Sequence, residues 1–134
     1  LPGTAVEDFL WPSADHGADW IITNPPFRLA HAFVDKAIAD ASMGCAFLVR
    51  TSFLEGVNRY QSLFSRRPPT FVAQFSERVP MVKGRCDGDA TTATSYCWIG
   101  WIKHISREPR MMWIPPCRSK LEEPGDYDLP EGCL

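Results

Sequence analysis

A short apolar strand, stopped by two prolines and followed by an amphipathic helix, constrains this chain more than any other feature. Trp20, Ile21 and Ile22 stand in succession, which is typical of a strand buried on both faces of a parallel sheet. Pro25 and Pro26 end the strand, because proline cannot donate a hydrogen bond to a neighbouring strand. Beyond them, apolar residues recur at the spacing of a buried helical stripe: Ala30, Phe33, Val34, Ala37, Ile38 and Ala41.

The rest of the chain continues this alternation. Further strands are predicted at 45–49, 71–75 and 96–102, a helix at 57–64, and a first strand-like stretch at 6–10. Strands that alternate with helices favour right-handed crossovers and a parallel sheet. Only a loop joins the last two strands, so these two are predicted to pair antiparallel. The sequence therefore predicts an α/β fold.

Composition sets limits on function. The 134 residues are 45% hydrophobic and 22% charged, with a net charge of −2, so we expect one globular unit without an overall basic charge. No apolar run approaches the ~18 residues of a membrane span and no signal peptide is evident, so we expect a cytoplasmic protein that does not bind membranes. The five cysteines show no paired CxxC spacing, which favours free thiols over a metal site.

The residues that follow the first strand hold the candidate chemistry. A parallel strand delivers Asn24 to the carboxyl edge of its sheet, where open α/β sheets bind ligands. The exocyclic amine of adenine or cytosine is a poor nucleophile, because its lone pair is delocalised into the ring. The Asn24 side-chain oxygen and the Pro25 carbonyl would accept hydrogen bonds from the two amine hydrogens, and Phe27 would stack on a flipped base. The alternative is an ordinary strand-ending turn with a core phenylalanine.

These residues resemble those of a known family. Asn24-Pro25-Pro26-Phe27 resembles the Asn/Asp-Pro-Pro-Tyr/Phe signature of the amino-methyltransferases. Asp8-Phe9-Leu10 resembles the acidic-Phe-Leu element that precedes it in gamma-type DNA adenine-N6 methyltransferases. Three later segments resemble phage-encoded DNA adenine methyltransferase-like proteins, so that the resemblance extends over about residues 6–127: 77–81, 96–101 and 113–117.

The resemblance implies a Rossmann-like fold, S-adenosylmethionine as cofactor, and methylation of the N6 amine of adenine in DNA. It implies that Asp8 and Phe9 contact the adenine of the cofactor. The catalytic residues that it implies are Asn24, Pro25, Pro26 and Phe27. Methylation of RNA adenine or of protein glutamine remains open, because the same motif can present any planar amine or amide. A non-catalytic remnant or an oligomerising module is the alternative of another class.

One part of the family fold has no counterpart in these 134 residues. No Gly-x-Gly occurs, so the glycine-rich loop that cradles the methionine part of the cofactor is not present in this chain. The chain is thus expected to be a truncated, C-terminal half of the fold, a mostly parallel sheet with an antiparallel last strand. Residues 1–106 would form this partial catalytic domain, and residues 107–134 an irregular Pro-rich tail. An exposed edge strand would then favour self-association.

Positive charge is concentrated near a long predicted loop at 80–94. A basic face there would bind DNA phosphates, and its affinity would fall steeply with salt. A solvated charged surface is the alternative. The candidate DNA-contacting residues are Arg66, Arg67, Arg78, Lys83 and Arg85.

Overall fold

The computed structural model describes residues 6–12, 17–80, 93–106 and 108–126. Within these residues, five strands form one sheet: β1 (Trp20–Thr23), β2 (Gly44–Arg50), β3 (Phe71–Phe75), β4 (Tyr96–Ile102) and β5 (Arg110–Ile114). The helical elements are α1 (Ala30–Asp40), a 3₁₀ turn (Thr51–Leu54), α2 (Val57–Arg59), which continues as a π-helical turn (Tyr60–Phe64), and α3 (Arg118–Leu121).

The sheet is mixed, with the strand order β1-β2-β4-β3-β5. β1 pairs parallel with β2, and β3 pairs parallel with β5. β4 lies between β2 and β3 and is antiparallel to both, so the other four strands point the same way. The predicted α/β class and the antiparallel pairing of β3 with β4 are confirmed. The four parallel strands end at one edge of the sheet, hereafter the carboxyl edge, where β4 begins.

Helix α1 covers one face of this sheet. Its apolar stripe buries Val34 and Ala37 completely, and they belong to the same core as Cys45, Phe47 and Ile99 of the sheet. The helix spans Ala30–Asp40, which contains most of the predicted apolar stripe, and Gly44 opens β2. Because α1 follows β1 directly, its first turn lies at the carboxyl edge.

The two edge strands differ from their predictions. β1 was expected to be buried on both faces, but it lies at the end of the sheet, and Ile22 is 63% exposed. β5 lies in the segment for which an irregular course was predicted, so that prediction is wrong for Arg110–Ile114. Met111, Met112 and Trp113 form a strand there because β3 offers them an unpaired edge.

The strand predicted at 6–10 does not form. Residues 9 and 10 form a turn, in which the Asp8 carboxylate accepts a hydrogen bond from the Leu10 N–H at 2.9 Å. The Asp8 carbonyl accepts another from the Trp11 N–H at 3.0 Å. An aspartate that bonds to its own local backbone competes with strand pairing, which explains why the short apolar stretch does not join the sheet.

The second face of the sheet has no helix on it in the described part of the chain. The buried helical residues of the described chain all belong to the core on the first face: Ala30, Val34, Ala37, Phe53 and Leu63. Side chains alternate along a strand, so Trp20 and Ile22 of β1 and Met112 of β5 point to the second face. All three are exposed. These side chains and the edge of β1 form an apolar surface that the described residues leave exposed.

Two cysteines of the core should be chemically inert in the folded state. Burial raises the pKa of Cys45 and of Cys97 from 9.0 to about 11, because a thiolate loses its hydration there. The unfolded thiols lose their protons first, so the free energy of unfolding should be unaffected below pH 9 and should fall as the pH rises towards 11. Thiol labelling at pH 7, mapped by peptide mass spectrometry, should modify half-buried Cys117 well before either of them. Equal labelling rates in the native protein would contradict this packing.

Candidate functional site at the carboxyl edge

The structure places Asn24 at the carboxyl edge, one residue after β1 ends. Asn24 is exposed, whereas Pro25 is buried and anchors the backbone of the turn. The Pro26 carbonyl accepts a hydrogen bond from the Leu29 N–H at 2.8 Å, which closes the turn that leads into α1. The strand, the prolines and the helix start together fix where Asn24 sits.

The two proline carbonyls have different roles. That of Pro26 is engaged in the turn before α1. Among the hydrogen bonds of the described residues, none uses the carbonyl oxygen of Pro25. Proline lacks an N–H but keeps a full acceptor. Pro25 therefore offers a main-chain oxygen next in the chain to Asn24, whose side-chain oxygen is the other acceptor that the sequence predicts for an amine.

Phe27 lies beside this pair and is 42% exposed. The guanidinium carbon of Arg50 stands 4.4 Å from the ring centroid, and the Tyr96 ring lies 6.1 Å away at 36°. Arg50 is the last residue of β2 and Tyr96 the first of β4, and the two are directly opposite in the ladder. The carboxyl edge therefore carries a cation–aromatic cluster next to Asn24.

A pocket of about 180 Å³ opens beside this cluster. It is somewhat larger than the roughly 150 Å³ cavity that accommodates benzene in another protein, so it can receive one aromatic ring. In the same lining a second guanidinium covers a second ring, with Arg59 4.3 Å from the centroid of Phe53. The residues that line the pocket are Phe27, Ala30, Val49, Arg50, Ser52, Phe53 and Arg59.

The pocket carries positive charge without a matching carboxylate. The Arg59 Nη1 donates to the main-chain carbonyls of Phe53 at 2.7 Å and of Glu55 at 2.5 Å, which hold the side chain in place but do not neutralise it. Within the described part of the chain, neither Arg50 nor Arg59 forms an ion pair. An anionic group would therefore be attracted to this end of the sheet.

Asp8 and Phe9 lie against α1. Phe9 is half-buried, and its ring stacks on Phe33 at 4.8 Å and 27°, with the Lys36 ammonium 5.9 Å above it. Asp8 is exposed, and its Oδ1 holds the local turn. Oδ2 of the same carboxylate has no hydrogen bond in the described structure, so it can still accept one from a cofactor amine. The role of both residues towards a cofactor remains a prediction.

Of the predicted basic residues, the three in the described part of the chain are not brought together at one end of the sheet. Arg66 and Arg67 directly precede β3 and so lie near the amino ends of the parallel strands, away from Phe27. Arg67 also pairs with Asp35. Arg78 follows β3 at the carboxyl edge and donates to the Ala93 carbonyl. Lys83 and Arg85, with most of the predicted loop at 80–94, lie outside the described residues.

Sequence reasoning did not identify Arg50, Arg59 and Tyr96 as site residues. Arg50 had a usable signal, because it ends a parallel strand, and the strand-end rule that indicated Asn24 applies equally to it. Tyr96 begins the antiparallel strand at the same edge. Arg59 had no signal in the sequence, since its position depends on how α2 folds back over the 3₁₀ turn.

No protein-family model, curated protein or solved structure matches this chain. Among residues 6–12, 17–80, 93–106 and 108–126, no group of three or more His, Cys, Asp or Glu side chains is arranged to hold a metal ion. In the same residues no helix has the length and apolar character needed to cross a membrane. Any functional argument therefore rests on this chain's own residues and their geometry.

Proposed function

We propose that this chain presents the N6 amine of an adenine in DNA for methylation by S-adenosylmethionine. The observation that carries the proposal is the position of Asn24-Pro25-Pro26-Phe27, directly after a parallel strand at the carboxyl edge and beside a pocket of ring size. That edge is where open α/β sheets bind their ligands. The four parallel strands and the one antiparallel strand support a reading of the sheet as the C-terminal half of a Rossmann-like methyltransferase domain.

The chain's contribution to the reaction is to orient the amine. The Asn24 Oδ1 and the Pro25 carbonyl would each accept a hydrogen bond from the exocyclic amine, which draws its lone pair out of conjugation. Phe27 would stack on the flipped base, and base–aromatic stacking of about 1–3 kcal/mol offsets part of the few kcal/mol that flipping costs. When bound, S-adenosylmethionine supplies an electrophilic methyl group. Asn24 is exposed to water, which would take up the proton that the amine loses on methylation.

Residues for the cofactor are only partly present. The second carboxylate oxygen of Asp8 can accept a hydrogen bond from the cofactor's adenine, but no Gly-x-Gly occurs in the sequence to cradle its methionine part. We therefore expect calorimetry on the 134-residue chain to detect no binding of S-adenosylmethionine at micromolar concentrations. A micromolar dissociation constant for this chain would contradict the proposed correspondence with half of a domain.

The uncovered apolar surface should make the chain associate with itself. An edge strand with unpaired N–H and C=O groups is a template for pairing, and Ile22 is exposed next to it on the second face. In sedimentation at micromolar concentration we expect dimers or larger species, and Ile22→Lys should shift them towards the monomer. Leu121→Lys is the control, since Leu121 is equally exposed in α3. A wild-type chain that sediments as a monomer would overturn the prediction.

The substrate class is tested by methyl transfer. The protein as its gene encodes it is incubated with tritiated S-adenosylmethionine and, separately, with DNA, RNA and a protein extract treated with nucleases. We expect DNA to be labelled and the other two acceptors to remain at background. Label in RNA or in protein would replace the DNA assignment with the corresponding alternative, and no label in any acceptor would favour a non-catalytic module.

A further inference from the structure

We propose that Arg50 covers the Phe27 ring in the free protein, gives way to the incoming base, and then binds the phosphate of the same nucleotide together with Arg59. This inference rests on the proposed function, since it takes Phe27 as the stacking platform. It adds a substrate class, because it assigns the pocket to a nucleotide rather than to the neutral side chain of a protein glutamine.

The Arg50 guanidinium lies over the Phe27 ring. Its carbon lies 4.4 Å from the Phe27 centroid, close to the separation at which stacked aromatic rings pack. A planar guanidinium thus occupies the volume that a planar base would need on that side of the ring. The base can stack there only if the Arg50 side chain moves.

Little holds the Arg50 side chain in place. Arg50 is exposed at the end of β2, and within the described part of the chain its side chain makes no hydrogen bond or ion pair besides the contact with Phe27. A cation–π contact at an exposed site is weaker than the stacking of a base on an aromatic side chain. A base can therefore displace the guanidinium.

The positive charges of Arg50 and Arg59 would remain at the pocket once the base is bound. Arg59 is held by main-chain carbonyls of the loop after β2, so it presents a fixed positive charge on the pocket wall. Arg50, released from Phe27, adds a second charge at the same pocket, and Ser52 is another polar residue of its lining. Guanidinium groups bind phosphate in a bidentate manner. One aromatic platform and two guanidinium groups match a nucleotide.

The test compares two fluorescent ligands that differ only in the phosphate, 2-aminopurine deoxyriboside and its 5′-monophosphate. Wild-type protein should quench both by stacking and bind the monophosphate more tightly. Arg50→Ala should weaken the monophosphate about tenfold at low salt, but should bind the deoxyriboside as well as or better than wild type, because the cover is gone. Arg110→Ala is the matched control and should leave both affinities unchanged. Arg110 is exposed and begins β5, so it lies at the amino ends of the parallel strands, away from the carboxyl edge.

The outcomes separate this inference from the proposed function. If the wild type binds both ligands and Arg50→Ala changes neither affinity, or weakens both equally, the role of Arg50 is refuted while stacking on Phe27 stands. If the wild type binds neither ligand, the stacking role of Phe27 is refuted and this inference falls with it. Arg50→Lys keeps the charge but not the planar, bidentate group, so its affinity for the monophosphate should lie between those of the wild type and of Arg50→Ala.

Discussion

Replacement of Asn24 by alanine is expected to lower the rate of methyl transfer to adenine by about 10²- to 10³-fold. Removal of one polar group aimed at the reacting atoms typically has an effect of that size, and here it removes one of the two acceptors that localise the amine lone pair. Asn24 is exposed, so the free energy of unfolding should change by no more than about 0.5 kcal/mol. Single-turnover transfer of a tritiated methyl group to DNA measures the rate.

Two further variants isolate the role of the side-chain oxygen. Asn24→Asp keeps an acceptor at the same position and should retain more activity than Asn24→Ala. Asn58→Ala removes another exposed asparagine, in α2, and should have no effect on the rate. If Asn24→Ala transferred methyl groups within about threefold of the wild-type rate, the amine would not depend on Asn24, and the proposed chemistry would be wrong.

Replacement of Phe47 by alanine is expected to lower the free energy of unfolding by about 3–5 kcal/mol. Phe47 lies in the middle of β2 with no exposed surface, and its ring meets the edge of Trp101 at 6.4 Å. Since a domain of this kind is stable by only about 5–15 kcal/mol, this loss is a large share of its stability. Urea denaturation measures the loss.

The control for Phe47 is Leu121→Ala, an exposed apolar residue of α3, whose loss should change stability by no more than about 0.5 kcal/mol. A loss below about 1 kcal/mol for Phe47→Ala would mean that the cavity is refilled or that α1 does not pack on β2 as described. The second of these results would contradict the packing that fixes the carboxyl edge.

The regular elements of this fold were predictable because their patterns are local. The apolar spacing that begins at Ala30 indicates a helix, and the continuous apolar run at β2 indicates a buried strand. The structure confirms both elements to within about one residue at each end. Whether a strand is central or at an edge is not local, since it depends on how many neighbours it finds. That is why the burial predicted for β1 was wrong.

β5 was missed for a related reason. Pro109 and Pro115 flank it closely, and proline is usual in irregular segments, so the short run of Met111, Met112 and Trp113 did not stand out in the sequence. The strand exists because β3 supplies a parallel partner for it. Only the assembled sheet shows that this partner is available.

The candidate site likewise contains residues that could be predicted from the sequence and residues that could not. Asn24 could be placed from the sequence, because a strand that stops at two prolines must release its next residue at the edge. Arg66 and Arg67 were grouped with the other basic residues by their nearness along the chain, and β3 carries the chain from one edge of the sheet to the other between them and Arg78. Arg59 enters the pocket only through the hydrogen bonds that fold α2 back on the loop after β2.

The central claim is that the N6 amine of adenine in DNA is the acceptor held by Asn24 and Pro25. DNA incubated with the protein as its gene encodes it and with S-adenosylmethionine that carries a deuterated methyl group can be digested to nucleosides and resolved by mass spectrometry. We predict labelled N6-methyldeoxyadenosine, reduced at least about 100-fold with Asn24→Ala. Labelled methyldeoxycytidine, or unlabelled DNA nucleosides throughout, would contradict the account.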